Sequence, residues 1–544
     1  MNIRKSFFLI AASALSFSAK AQLMDGPRHF TRADTLRGTL SAERSCYDVT
    51  FYHLDIKVDT EQQSIEGYND ITFKTVSDFK RIQVDLFANM KVDKIVWKGN
   101  ELPYKREFGA VFIDFPEKIK ANSTQTLRFY YSGKPMVAKR APWDGGFVWT
   151  KDKAGDTWVG VACQGTGASL WWPNKDHQSD EPDSMMISIA VPKDLMDVSN
   201  GRLRSTQDLN NGYVKYNWFV SNPINNYDVS VNIAKYAHFS DKHNNLDLDY
   251  YVLRENLSKA KEQFKQVKSM LTCFEYRFGP YPFYEDGYKL IETPYLGMEH
   301  QSAVAYGNKY KNGYLGNDLT HSGVGTKFDF IIIHESGHEW FGNSVTSKDI
   351  ADMWIHESFT NYSESIYAEC EFGYQDYLKH INGYKQSVHN DKPIIGPYGV
   401  NEEGSGDMYY KGGLMLHTIR SIVGDEKFFE MLKGVPTKFW HQTVTTDDIV
   451  NYANKKTGTD LTKVFYQYLK YTNIPTLELK EIDGNVNYRW KADVAGFDMP
   501  IKVALADKKW RIIRPTSTWQ QLSAKTTADV KVAEDLYYIN VKRF

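Results

Sequence analysis

At 544 residues the chain is too long for one compact core and implies two to four domains. Apolar residues at 42% and charged residues at 24% are those of a folded soluble protein, and 66 basic residues nearly balance 67 acidic ones. No basic run interleaves with aromatics and there is no polybasic stretch, which speaks against nucleic acid and against a charged membrane surface as partners.

Residues 1–21 read as a secretory signal. Arg4 and Lys5 supply the charged start, Phe7 to Phe17 an apolar stretch too short to span a bilayer, and Ala19-Lys20-Ala21 a cleavage site before Gln22. Cleavage leaves 63 basic against 67 acidic residues, a formal charge of −4. No later segment approaches the roughly 20 apolar residues of a spanning helix. The mature protein is expected outside the cytoplasm, periplasmic or secreted. Its four cysteines, Cys46, Cys163, Cys273 and Cys370, allow two disulfides in three connectivities or remain buried thiols.

Residues 22–240 predict an N-terminal β domain, a sandwich or saddle of short strands. Leu54, Ile56 and Val58 alternate with polar neighbours, followed by Ile71 and Phe73 after Gly67. Further strands are expected at Ile82–Phe87, Val92–Trp97 and Leu127–Tyr131. Between 241 and 475 the period becomes helical, with helices expected over Asn256–Tyr276, Phe328–Phe341, Trp354–Phe372, Met408–Val423 and Leu461–Tyr471. After Pro475 alternation returns in Thr476–Lys480, Val486–Trp490, Ile501–Leu505 and Tyr537–Val541, giving a small C-terminal β domain over 476–544. The fold class is therefore multidomain α+β.

The central motif is His334-Glu335-Ser336-Gly337-His338, entered through the apolar run Phe330 to Ile333. Spacing of i and i+4 puts both imidazoles on one helix face, where they can share a tetrahedral metal. Glu357 follows His338 after eighteen residues that contain the helix stop Gly342-Asn343. A helix, a turn and a returning helix can set Glu357 opposite the histidines. Two imidazoles and one carboxylate leave the fourth position of a zinc ion open, as catalysis requires. Glu335 is placed beside the ion as the base for a water molecule. Glu364, two turns beyond Glu357, can support a ligand histidine from behind or be an ordinary surface acid.

These segments resemble peptidase family M1, the gluzincin aminopeptidases that include aminopeptidase N. The resemblance rests on His334 to Thr346, with Trp340-Phe341-Gly342-Asn343, on Trp354 to Phe359 and on Phe278-Gly279-Pro280-Tyr281-Pro282. It implies a thermolysin-like catalytic domain and a single zinc ion. It also implies that Glu299, in Gly297-Met298-Glu299-His300, binds the substrate's free α-amino group. Leu296 stands where the family's first glycine would be, and His300 replaces its asparagine. Gln164 occupies the place of a second amine-binding group or is a core amide; Ser169 and Leu170 nearby stand where arginines often occur. Tyr409, followed by Tyr410-Lys411-Gly412, implies an oxyanion donor, with Tyr410 the competitor in register.

The expected activity is zinc-dependent removal of the N-terminal residue from peptides that have a free N-terminus. A thermolysin-like endopeptidase and a non-catalytic peptide-binding protein are the alternatives. About 70 residues after Pro475 leave no room for the helical domain that roofs the cleft in many relatives, so a more open cleft is expected.

Overall fold

The computed structural model describes residues 29–544; the expected signal segment lies outside the described residues. Along Tyr47–Asp59 the alternation read from sequence becomes a strand whose Tyr52, Leu54, Ile56 and Val58 are buried. A pleated strand turns successive side chains to opposite faces, so one face can be wholly apolar. This strand pairs antiparallel with Ser64–Thr75 and parallel with Ser184–Pro192. It lies in an eight-stranded sheet, ordered Arg202–Asp208, Tyr213–Val220, Ser184–Pro192, Tyr47–Asp59, Ser64–Thr75, Thr124–Gly133, Met90–Trp97, Asn100–Glu101. A three-stranded and a four-stranded sheet share its hydrophobic core.

Strand Tyr236–His243, inside which position 240 falls, opens a different sheet of five strands. The others are Leu246–Leu253, Tyr288–Glu292, Val304–Tyr306 and the edge strand Gly297–Met298. Helix α2 (Phe330–Gly337) packs on that edge, α1 (Gln266–Phe278) and α3 (Trp354–Phe372) pack on α2, and α4 (Tyr410–Val423) packs on α3. Cys273 on α1 and Cys370 on α3 form a disulfide; Cys46 and Cys163 are buried free thiols.

Two helix expectations need correction. The single helix over Asn256–Tyr276 is two, Leu257–Gln263 and α1, broken at Phe264 and Lys265. The Phe264 ring is seized by Tyr250, Tyr306 and Tyr310, a tertiary contact that overrides the helical period. The helix expected over Phe328–Phe341 is the shorter α2, because Asp329 is taken as its cap and turns follow Gly337.

The C-terminal segment forms a four-stranded and a three-stranded sheet whose apolar faces join the catalytic core. The strand expected at Tyr537–Val541 is Asn540–Arg543 instead. Tyr538 is drawn away from pairing: its N–H donates to Thr418 Oγ1 at 2.9 Å and its carbonyl accepts from Tyr468 at 2.6 Å. No helix among the described residues is long and apolar enough to cross a membrane.

Candidate metal centre and substrate cleft

Helix α2 begins where Asp329 accepts from the N–H groups of Ile331 and Ile332 at 3.1 and 3.4 Å. Asp329 is itself held by Tyr306 and Asn308 at 2.6 and 2.7 Å, so the first turn is fixed to the sheet. At the other end, a β-carbon on Gly337 would lie 2.7 Å from Ser363 Oγ, so only glycine lets α3 come this close. Close approach carries Glu357, in the first turn of α3, to the two histidines.

The three donors converge. His334 Nε2 and His338 Nε2 are 3.3 Å apart, and Glu357 Oε2 lies 3.7 and 3.4 Å from them. Ligand atoms about 2.0–2.1 Å from a zinc ion at tetrahedral angles lie about 3.3–3.4 Å from one another. Glu357 Oε2 is buried and, among the described residues, accepts no hydrogen bond of good geometry, so beside two imidazole lone pairs it is an acceptor that a cation would satisfy. The donor set therefore fits zinc.

Both imidazoles are oriented from behind. His334 Nδ1 meets Glu364 Oε1 at 2.7 Å, and Glu364 in turn accepts from Tyr384 and from Asn361. His338 Nδ1 lies 3.0 Å from the Phe341 carbonyl. With the protons on Nδ1, both Nε2 lone pairs face the cleft. Glu364, which the sequence left between two roles, is fully buried against His334 and so is not a surface acid.

Glu335 enters the cleft between these histidines and the edge strand. A β-carbon on Gly297 would lie 2.7 Å from Glu335 Oε1, so this glycine makes room for the base. One residue beyond the strand, Glu299 brings a carboxylate oxygen within 4.8 Å of ligand atoms of Glu335 and His338. Its backbone carbonyl accepts from Asn343 at 2.8 Å, and its side chain accepts from Gln164 and from Tyr227 at 3.2 Å. Gln164 Nε2 also donates to Glu357 Oε1 at 3.2 Å. His300 is buried, with neither ring nitrogen paired to a described residue, and does not line the cleft. Ser169 donates to Asp176 and Leu170 is core, so neither reaches the site.

Tyr409 is placed by the glycines that follow it. A β-carbon on Gly412 would lie 1.8 Å from Ser358 Oγ, and one on Gly413 would lie 2.5 Å from Asn361 Oδ1. Without β-carbons, α4 sits against α3 and its first residues reach over the metal position. The Tyr409 ring stacks on His334 with centroids 6.0 Å apart; Tyr410 stacks instead on Tyr384. Lys411 is buried, donating to the Tyr471 carbonyl at 2.8 Å, and anchors the motif from outside the cleft.

The cleft encloses about 300 Å³, and four carboxylates line it: Glu299, Glu335, Glu357 and Glu403. Among the described residues no lysine or arginine lines it, and neither does any residue of 476–544. Burial pushes Glu299 and Glu335 upward, with His338 pulling against that shift in both and Glu357 adding to it. Such crowding of acids calls for cations. Sequence reasoning missed Glu403, Tyr227 and Tyr384, which belong to no local pattern and are brought in from separate segments.

Residues 262–468 match the Peptidase family M1 domain, and they include all three donors, Glu335, Glu299 and Tyr409. "Probable aminopeptidase 2" of Sulfurisphaera tokodaii is 20% identical over 80% of this chain and 55% of its own length. "Leucyl aminopeptidase" of Saccharolobus solfataricus is 22% identical over 79% of this chain and 54% of its own. The chain thus spans about half the length of these curated relatives. In three dimensions it shares the fold of an M1 zinc metallopeptidase from Deinococcus radiodurans, solved with a Tyr-Ser-Ala substrate. The TM-score is 0.65 at 20% identity, covering 80% of this chain and 96% of that one. The family match is thus carried by residues 262–468, the segment that holds the three donors, and the solved structure adds a shared fold.

Proposed function

We propose that this protein is a zinc-dependent aminopeptidase that releases the first residue of peptides with a free N-terminus. The observation that carries this reading is the Glu299 carboxylate fixed beside Glu335 and His338. An α-ammonium held there by Glu299, within reach of Gln164, leaves only the first peptide carbonyl able to reach the metal position.

His334, His338 and Glu357 would hold the ion. When bound there, zinc would supply Lewis acidity toward the carbonyl and toward a water molecule near neutral pH. Glu335 takes the proton of the attacking water and delivers it to the leaving amine. The Tyr409 hydroxyl donates to the oxyanion that develops on the carbonyl. Glu299 and Gln164 keep the substrate from sliding further along the cleft, which separates this reading from an endopeptidase.

The test compares a leucine anilide with its N-acetyl form, with and without a chelator. Hydrolysis of the free amine alone, abolished by chelation and restored by zinc, is expected; equal rates on both anilides would reject the exopeptidase reading. Export follows from the signal at 1–21 and agrees with the Cys273–Cys370 disulfide, a bond that persists in oxidising compartments. Mass spectrometry of the protein recovered outside the cytoplasm should find Gln22 at its N-terminus.

A further inference from the structure

Three of the four carboxylates in the cleft have work in the reaction above; the fourth, Glu403, does not. It lies in the loop before α4, half-buried, and that loop is fastened on both sides. Asn401 Nδ2 donates to the Gly165 carbonyl at 2.7 Å, and Ser405 N–H donates to the Pro393 carbonyl at 2.8 Å. A β-carbon on Gly404 would meet the Ile394 carbonyl oxygen at 1.6 Å, so the loop packs directly on its neighbour. A carboxylate carried on so constrained a backbone has a fixed place.

That place is beside the amine anchor. A β-carbon on Gly165, the residue after Gln164, would lie 2.7 Å from Glu403 Oε1. Glu403 therefore stands next to the segment that carries Gln164, the partner of Glu299, within the same cleft. Its carboxylate makes no hydrogen bond or ion pair with any described residue, and Lys392 acts on it only from beyond ion-pair reach. Burial, with the nearby Glu357 charge, pushes it up to about 7, a penalty that an adjacent cation would relieve.

We propose that Glu403 selects substrates whose first residue carries a cationic side chain, arginine or lysine. The inference rests on the aminopeptidase reading. The charges agree with it. In the proposed reaction Glu357 faces the ion, Glu299 the α-ammonium and Glu335 the water, so Glu403 is the one acid of the cleft left to meet a basic side chain. The aliphatic stem of arginine or lysine can lie along the apolar and aromatic wall, while its head reaches Glu403. A neutral side chain of the same length would leave the carboxylate unpaired.

Citrulline, the uncharged isostere of arginine, isolates the charge. With the zinc-loaded protein, kcat/KM for arginine anilide should exceed that for citrulline anilide by about tenfold or more, as a charge-assisted hydrogen bond gives. In Glu403→Gln the ratio should fall toward one. At the second position, Ala-Arg and Ala-citrulline should be cleaved alike. Leucine anilide hydrolysed at a useful rate, with an arginine-to-citrulline ratio near one in the wild type, would overturn this inference and leave the aminopeptidase reading standing. So would a charge preference confined to the second position, or a ratio unchanged in a folded Glu403→Gln protein. Failure of every free-amine anilide would remove both readings together.

Discussion

His334 offers Nε2 to the cleft because Glu364 occupies its other nitrogen, and Glu364 is steadied by Tyr384 and Asn361. Replacing Glu364 with Gln keeps the shape and removes the charge that strengthens the imidazole as a ligand. Zinc affinity should fall about 10- to 100-fold, the usual effect of losing such a partner, as read by competition with a chromophoric chelator. An unchanged affinity would return Glu364 to a packing role. In the proposed reaction Tyr409 faces the substrate carbonyl, from a ring stacked on His334. Tyr409→Phe should lower kcat about 100- to 1,000-fold with the KM for leucine anilide little changed, since the hydroxyl serves the transition state. The equivalent change at Tyr410, which stacks on Tyr384, should spare kcat.

Among the helices, glycine governs distance. Gly337 lets α2 and α3 meet, and Gly412 lets α4 meet α3 at Ser358. Gly412→Ala places a methyl group where Ser358 Oγ stands, so α4 must back away, taking Tyr409 with it. Overpacking of this kind typically costs about 1–3 kcal/mol, and a shift of about 1 Å at a reacting group can cost about 100-fold in rate. The expected outcome is a modestly lower denaturation midpoint with a much larger loss in kcat. Loss of stability with full turnover would show that Tyr409 is positioned by something other than this contact. The same principle explains the helices read too long from sequence. Phe264 and Asp329 are claimed by partners far along the chain, and a periodicity count cannot see those partners.

Across the whole molecule, the disulfide joins α1 to α3 over a separation of 97 residues and so ties the sheet-side helix to the metal helix. Replacing Cys273 and Cys370 together with Ser should lower stability by about 4–5 kcal/mol on the chain-entropy account of so long a loop. Denaturation of the double variant and of the reduced wild type should then coincide. Equal midpoints for oxidised wild type and double variant would show that the bond contributes nothing to stability. The C-terminal sheets contribute core, not cleft: their apolar faces join the catalytic helices, and none of their residues lines the site.

How much was legible follows from how far each signal reaches. The metal donors are readable because i and i+4 on one helix fix two of them, and a stop-and-return segment of ordinary length brings the third. The strands are readable wherever one face is buried and the period is two. Glu299, Gln164 and Tyr409 were identifiable only through resemblance, since nothing local to each segment says what stands opposite it. Glu403 was not identifiable at all. Its loop is polar and glycine-rich, as surface loops are, and its meaning comes from Gly165, 238 positions away. Sequence by itself determined most of the elements and singled out the candidate metal donors and base, because local periodicity is set by backbone geometry. Tertiary structure alone decided which acids share one cleft and which of them lacks a partner, because burial and Coulomb interactions depend on distance in space, and chain order does not encode it.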